Sequence, residues 1–116
     1  MGNEIRVIDV FKNATISASG TLTSEKIELH AYNPYGNFGL QVGSVGTGSV
    51  IDFEYLVSND GVTFVVPDGA SDIKTGHAEG NAYYDFSPVL AKHLKIRATE
   101  TAGNAVTDLD VKLAVQ

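Results

Sequence analysis

The chain has 116 residues, of which 43% are hydrophobic and 19% charged, so a disordered chain is excluded and one domain spanning 1–116 with its own core is expected. Its formal net charge of −6 argues against nucleic acid as a partner, and the lack of cysteine excludes disulfides and thiolate metal sites. Twelve glycines, a single methionine and frequent valine and threonine favour strands and turns over helices.

The first residues, MGNEIRVIDVFKN, are charged and alternating, without the apolar run of a signal peptide. No stretch approaches the length of a membrane span, so no membrane partner is expected. Across Glu4–Phe11 the alternation puts Ile5, Val7 and Phe11 on one side and Arg6, Ile8 and Val10 on the other. An edge strand of a monomer normally shows one wet face, and this segment shows none. Ile8, Val10 and Phe11 are therefore candidate assembly residues, and 1–12 is a candidate arm that helps to form a homo-oligomer.

Ala14–Ser19 reads as a short strand of small residues, followed by turn residues to Ser24. Lys26–Ala31 alternates, with Ile27, Leu29 and Ala31 inward. Asn33–Asn37 has the composition of a loop. Phe38, Leu40 and Val42 alternate with Gly39 and Gln41, and Gly43–Ser49 is a glycine-rich turn. That turn lacks the Lys-Ser/Thr of a phosphate-binding loop.

Val50–Pro67 is the stretch that organises the rest. Ile51, Phe53, Tyr55 and Val57 share one face at period two. Ser58–Gly61 supplies a turn with Gly61 at positive φ, Val62–Val66 reads as the return strand, and Pro67 ends it. Asp68–Asn81 is polar and reads as an exposed loop, with a short helical or strand turn within it as the alternative. Ala82–Phe86 is a strand that sends Tyr83 and Tyr84 to opposite faces. Ser87-Pro88 starts a bend, and Val89–Lys92 reads as a single helical turn. Leu94, Ile96 and Ala98 point inward, Glu100–Asn104 turns, and Ala105–Val115 closes the chain with Thr107, Leu109, Val111, Leu113 and Val115 inward. Strands at this spacing, about eight to nine of them, predict an all-β antiparallel sandwich of jelly-roll type.

Chemistry-bearing patterns are sparse. Ser44, Ser49, Ser58 and Ser87 with His30, His77 and His93 could be drawn into a triad, but no G-x-S-x-G elbow carries one, and His77 reads as a loop residue. Asp68, Asp72 and Glu79 share an oxygen-rich loop that could hold calcium, yet their spacing fits no ligand set, and Asp and Gly in loops ordinarily make turns. Asp52 and Glu54 lie on one strand face at the reach of a glycosidase pair, and a solvated strand face explains them equally well. Lys92, Lys95 and Arg97 are the basic cluster, read as a wet strand face. No cofactor is expected. Tyr32, Tyr35, Tyr83 and Tyr84 flank loops and are candidate contacts to a partner protein or to a glycan.

The succession SASGT (17–21), NFGLQV (37–42), IDFEYLVSNDGVTF (51–64), FSP (86–88) and LKIRA (94–98) resembles small β-sandwich structural proteins of bacteriophages and prophages, such as capsid decoration or tail-associated proteins. The resemblance spans roughly Ser17 to Val115 and rests on strand and turn residues. It implies a non-enzymatic virion component, assembled in the host cytoplasm, that binds a capsid or tail surface. The SNDGVTF piece (58–64) also resembles discoidin-type and carbohydrate-binding sandwiches, which implies the alternative of a glycan-binding module using the loop tyrosines.

Overall fold

The structure is a computed structural model that describes residues 5–29 and 36–116. These form nine strands: β1 Arg6–Ile16, β2 Thr21–Thr23, β3 Ile27–Glu28, β4 Phe38–Val45, β5 Val50–Ser58, β6 Lys74–Ala78, β7 Gly80–Phe86, β8 His93–Glu100 and β9 Val106–Val115. They make two antiparallel sheets, one in the order β1-β9-β4-β7 and the other β2-β8-β5-β6. β2 and β3 lie one after the other along the same side of β8. Ser24 joins them. Its N–H donates to Ile96 O at 2.9 Å, and its hydroxyl accepts the Ile96 N–H at 3.0 Å.

The pairings are nested. β5 pairs β6, β4 pairs β7, β2 and β3 pair β8, and β1 pairs β9. This is the two-sheet jelly-roll arrangement. The inward residues of both sheets fill the space between them. Leu40, Ile51, Phe53, Leu94, Ile96, Leu109 and Leu113 are fully buried. Each such side chain contributes roughly 1.5–3 kcal/mol by leaving water.

The structure departs from the sequence reading in five places. Val62–Val66 is not a return strand: it makes one bridge, Val57 to Val65. The cause is Asp60, whose Oδ1 accepts the N–H groups of Val62 at 2.8 Å and Thr63 at 2.9 Å and so turns the chain away from the ladder. β6, inside the expected Asp68–Asn81 loop, takes that edge of β5 instead. Val89–Lys92 forms no helical turn. Thr107 is exposed, because a register shift between Leu109 and Val106 breaks the alternation of β9.

The fifth departure concerns β1. It is one strand to Ile16, at the edge of its sheet, and carries three register shifts. The shift between Asp9 and Phe11 adds a residue, so Val10 and Phe11 both lean inward. Phe11 belongs to the core, and Ile8 and Val10 pack against it. Ile5 and Val7 are the apolar residues left outside, each 63% exposed.

Candidate functional site

The outer face of the β1-β9-β4-β7 sheet carries a groove of about 490 Å3. Its shape follows from the register. Gln41 of β4 lies between Lys112 of β9 and Tyr83 of β7, and Gly43 lies between Asp110 and Asn81. Where Gly43 lacks a side chain, the face is hollow. A Cβ there would stand 2.9 Å from Asn81 Oδ1. Gly39, the other outward glycine of β4, is covered by Tyr83: a Cβ at Gly39 would lie 2.7 Å from both Cε1 and Cζ of that ring. Tyr83 thus crosses the bare backbone of β4 while staying 59% exposed.

The charges around the groove are partly committed. Lys112 Nζ donates to Asp9 Oδ1 at 2.6 Å, which lowers the Asp9 pKa and raises that of Lys112. Asp110 Oδ1 accepts the Asn13 N–H at 2.9 Å. Among the described residues no hydrogen bond engages the side chains of Gln41, Asn81 or Asp85.

A second polar constellation lies between the sheets. His77 of β6 stands 3.2 Å from Ser44 Oγ through Nε2, and 2.7 Å from the Tyr84 hydroxyl through Nδ1. Ser44 and Tyr84 belong to the opposite sheet. The Phe53 ring meets His77 edge-on at 5.8 Å, and Lys74 Nζ sits 5.6 Å from the Tyr84 ring centre. Burial pushes the His77 pKa below 6.5, with the Lys74 cation acting the same way against a Gly80 backbone contact. Burial raises the Tyr84 phenol. This is a Ser–His pair, but Ser44 and His77 are only 4% and 3% exposed and the third member is a phenol. A carbonyl substrate has no path to Ser44 Oγ, so the group serves as a sheet-to-sheet bridge.

The carboxylates disperse. Among the described residues no three metal-ligating side chains converge. Glu79 Oε2 accepts the Gly46 N–H at 2.9 Å, and Asp72 Oδ2 accepts from the Thr75 hydroxyl at 2.9 Å. Asp52 Oδ1 accepts the Gly76 N–H at 2.8 Å, while Glu54 is ion-paired to Arg97 at 2.7 Å. The basic cluster separates likewise, since Lys95 Nζ lies 4.4 Å over the Phe64 ring. Glu100 is 1% exposed and ends β8 as a buried anchor. Its oxygens accept N–H groups from Ser19, Val50, Ala102, Gly103 and Asn104 at 2.8–3.1 Å. Burial by itself would raise its pKa; the N–H groups override that and hold it at about 2.

A third surface sets exposed apolar residues beside the polar Ser58, Asn59 and Thr63. Val65 and Leu90 wall a hollow of about 300 Å3 that also touches Val57 and Asp60. Leu90 is 100% exposed and Val62 83%.

Of the expected contact tyrosines, Tyr83 stands on a strand face and Tyr84 turns inward to His77. Tyr32 and Tyr35 lie outside the described residues. No motif in the sequence marks the groove residues Gln41, Asn81, Asp110 and Lys112. Outward alternation marks each of them, but their adjacency exists only through strand register. The sequence reads His77 as a loop residue because β6 has no large apolar side chain to announce it.

No family model and no curated protein matches the sequence. Among solved structures, the chain is similar to a chain in the structure of the Gx strain of infectious bursal disease virus, with 10% identity and a TM-score of 0.50. The match covers 97% of this chain and 32% of that one, so the chain spans about a third of the length of the protein it resembles. What the two share is the fold, an antiparallel β-sandwich.

Proposed function

We propose that the chain is a non-enzymatic structural protein of a phage or prophage virion, which binds a capsid or tail surface through protein contacts. The observation that carries this reading is the apolar surface around Leu90. A leucine wholly in water, lining one hollow with the half-exposed Val65, stabilises nothing within the protomer. Exposed apolar clusters with a polar rim are characteristic of protein-binding surfaces. The jelly roll, and its likeness to a chain from a virus structure, support the same reading. The place of action is the virion, with assembly in the host cytoplasm.

The reading extends to a homo-oligomer. The Arg6–Asp9 part of β1 pairs regularly with β9 and leaves its other edge open, with Ile5 and Val7 outward. Such an edge is a template for a second copy. The assembly surface falls to Ile5 and Val7, since Phe11 faces the core.

The test is co-sedimentation of the purified protein with phage particles produced by the strain that encodes it. Binding is expected, and Leu90→Asp should weaken it about tenfold or more, the loss expected for a contact at the centre of an interface. Particles that bind neither form would overturn the reading.

A further inference from the structure

We propose that the groove on the outer face of β9, β4 and β7 binds a neutral glycan. The Tyr83 ring is the stacking platform, and Gln41, Asn81 and Asp110 are the hydrogen-bonding groups.

Shape is the first argument. The groove, at about 490 Å3, is within the range of small-molecule sites, and it exists because β4 presents glycine at an outward position. Gly43 has no positive φ that would demand glycine, so the backbone does not account for it. The missing side chain leaves space between Asp110 and Asn81.

Rigidity is the second. An exposed tyrosine ordinarily loses rotamer freedom on binding. Tyr83 is already laid over Gly39, so its ring is held in place with one face toward solvent. The C–H face of a pyranose packs on such a ring, and an amphipathic aromatic suits a ligand that is apolar on one side and wet at its rim.

The third argument is the chemistry of the lining. Primary amides carry both donors and acceptors and match pairs of neighbouring hydroxyls, which also do both. The amides of Gln41 and Asn81 are not engaged among the described residues, and Asp110 has an oxygen beyond the one used by Asn13. An apolar peptide side chain would bury these groups without partners, at a cost. Charge sets the ligand's sign. Lys112 is held by Asp9, Asp110 lines the groove, and the chain carries −6 overall. Phosphate, sulfate and uronate are repelled. A neutral polyol is what remains.

The experiment is a glycan array probed with the full chain, followed by calorimetric titration with maltohexaose, cellohexaose, xylohexaose, N-acetylchitohexaose and, as the anionic comparison, hexagalacturonate. At least one neutral oligosaccharide should bind with a Kd of about 1 mM or tighter. Y83A should weaken it about tenfold, the worth of one aromatic contact. G43V fills the hollow and should abolish binding. Circular dichroism of both variants should match the parent, with melting lowered only modestly, since G43V asks no more than that the Asn81 side chain move aside and Y83A uncovers only the backbone at Gly39. Folded variants that bind like the parent, a preference for hexagalacturonate, or no binding by any neutral oligosaccharide on the array or in solution would each overturn the proposal.

Discussion

The hydroxyl of Tyr84 and Nδ1 of His77 stand 2.7 Å apart, and through them, together with Ser44 on the other ring nitrogen, one sheet of the sandwich holds the other by polar contacts within a largely apolar layer. Tyr84→Phe keeps the ring and removes the partner. It should cost about 1–3 kcal/mol, the penalty for leaving a buried polar group unsatisfied, as read from urea unfolding. The contact also predicts a pH response. The folded-state pKa of His77 lies below its ordinary 6.5, so between those two values the unfolded chain binds more protons. The contribution is complete above 6.5 and is lost as pH falls toward the folded value. His77→Gln should remove that part of the slope.

Glu100 predicts a second, more acid transition. Its folded pKa of about 2 lies well below its ordinary 4.5. Stability is therefore fully present above 4.5 and lost as pH falls through about 2. Glu100→Gln offers an NH2 group where N–H donors already converge, so it should lower the melting temperature sharply at neutral pH and blunt the acid limb. Melting curves from neutral to strongly acid pH decide this.

Gly61 holds φ at +76°, and a Cβ there would stand 3.1 Å from His93 Nε2. Gly61→Val should cost roughly 1 kcal/mol or more, since a β-branched residue is strained in that conformation. Denaturant titration checks it, with Val62→Ala, an exposed neighbour, as a near-neutral control.

Asp52→Asn and Glu54→Gln should change little. Asn keeps an oxygen for the Gly76 N–H, and the Glu54–Arg97 pair is partly exposed, where such pairs contribute about 0–1 kcal/mol. Folding and particle binding should stay near wild type. Glycoside turnover abolished by either change would refute a structural, non-enzymatic protein.

Val7→Lys places a charge on the open edge of β1 without touching the core. If copies pair there, light scattering should show a smaller particle with unchanged circular dichroism. A wild-type chain that stays monomeric at high concentration would show that this edge pairs with nothing.

What the sequence made legible follows from period two. β4 pairs with β9, and β5 with β8, without a register shift, and Leu40, Phe53 and Ile96 are buried where alternation puts them. Parity fails where the ladder gains a residue. The extra residue near Val10 moved Phe11 from the expected face into the core, and the shift before Leu109 freed Thr107. Val62–Val66 has strand composition, but Asp60 captures the N–H groups the ladder would need. β6 has the composition of a loop, and its inward anchor is a histidine. The groove was illegible for a different reason. Gln41, Tyr83 and Lys112 come from three strands distant in sequence, and register alone brings them side by side.

The nested pairing has a kinetic consequence. β9 lies between β1 and β4, which do not pair with each other, so the four-stranded sheet has no continuous form without it. During synthesis the first strand is made early and waits, with its partner edge open, until residues 106–115 have left the ribosome. Loop closure across the chain must then precede most of the stabilising contacts, which places folding among the slow β topologies, on the order of milliseconds to seconds. In that interval the unpaired β1 is most exposed to other nascent copies, and removing β9 should leave the chain aggregated rather than partly folded.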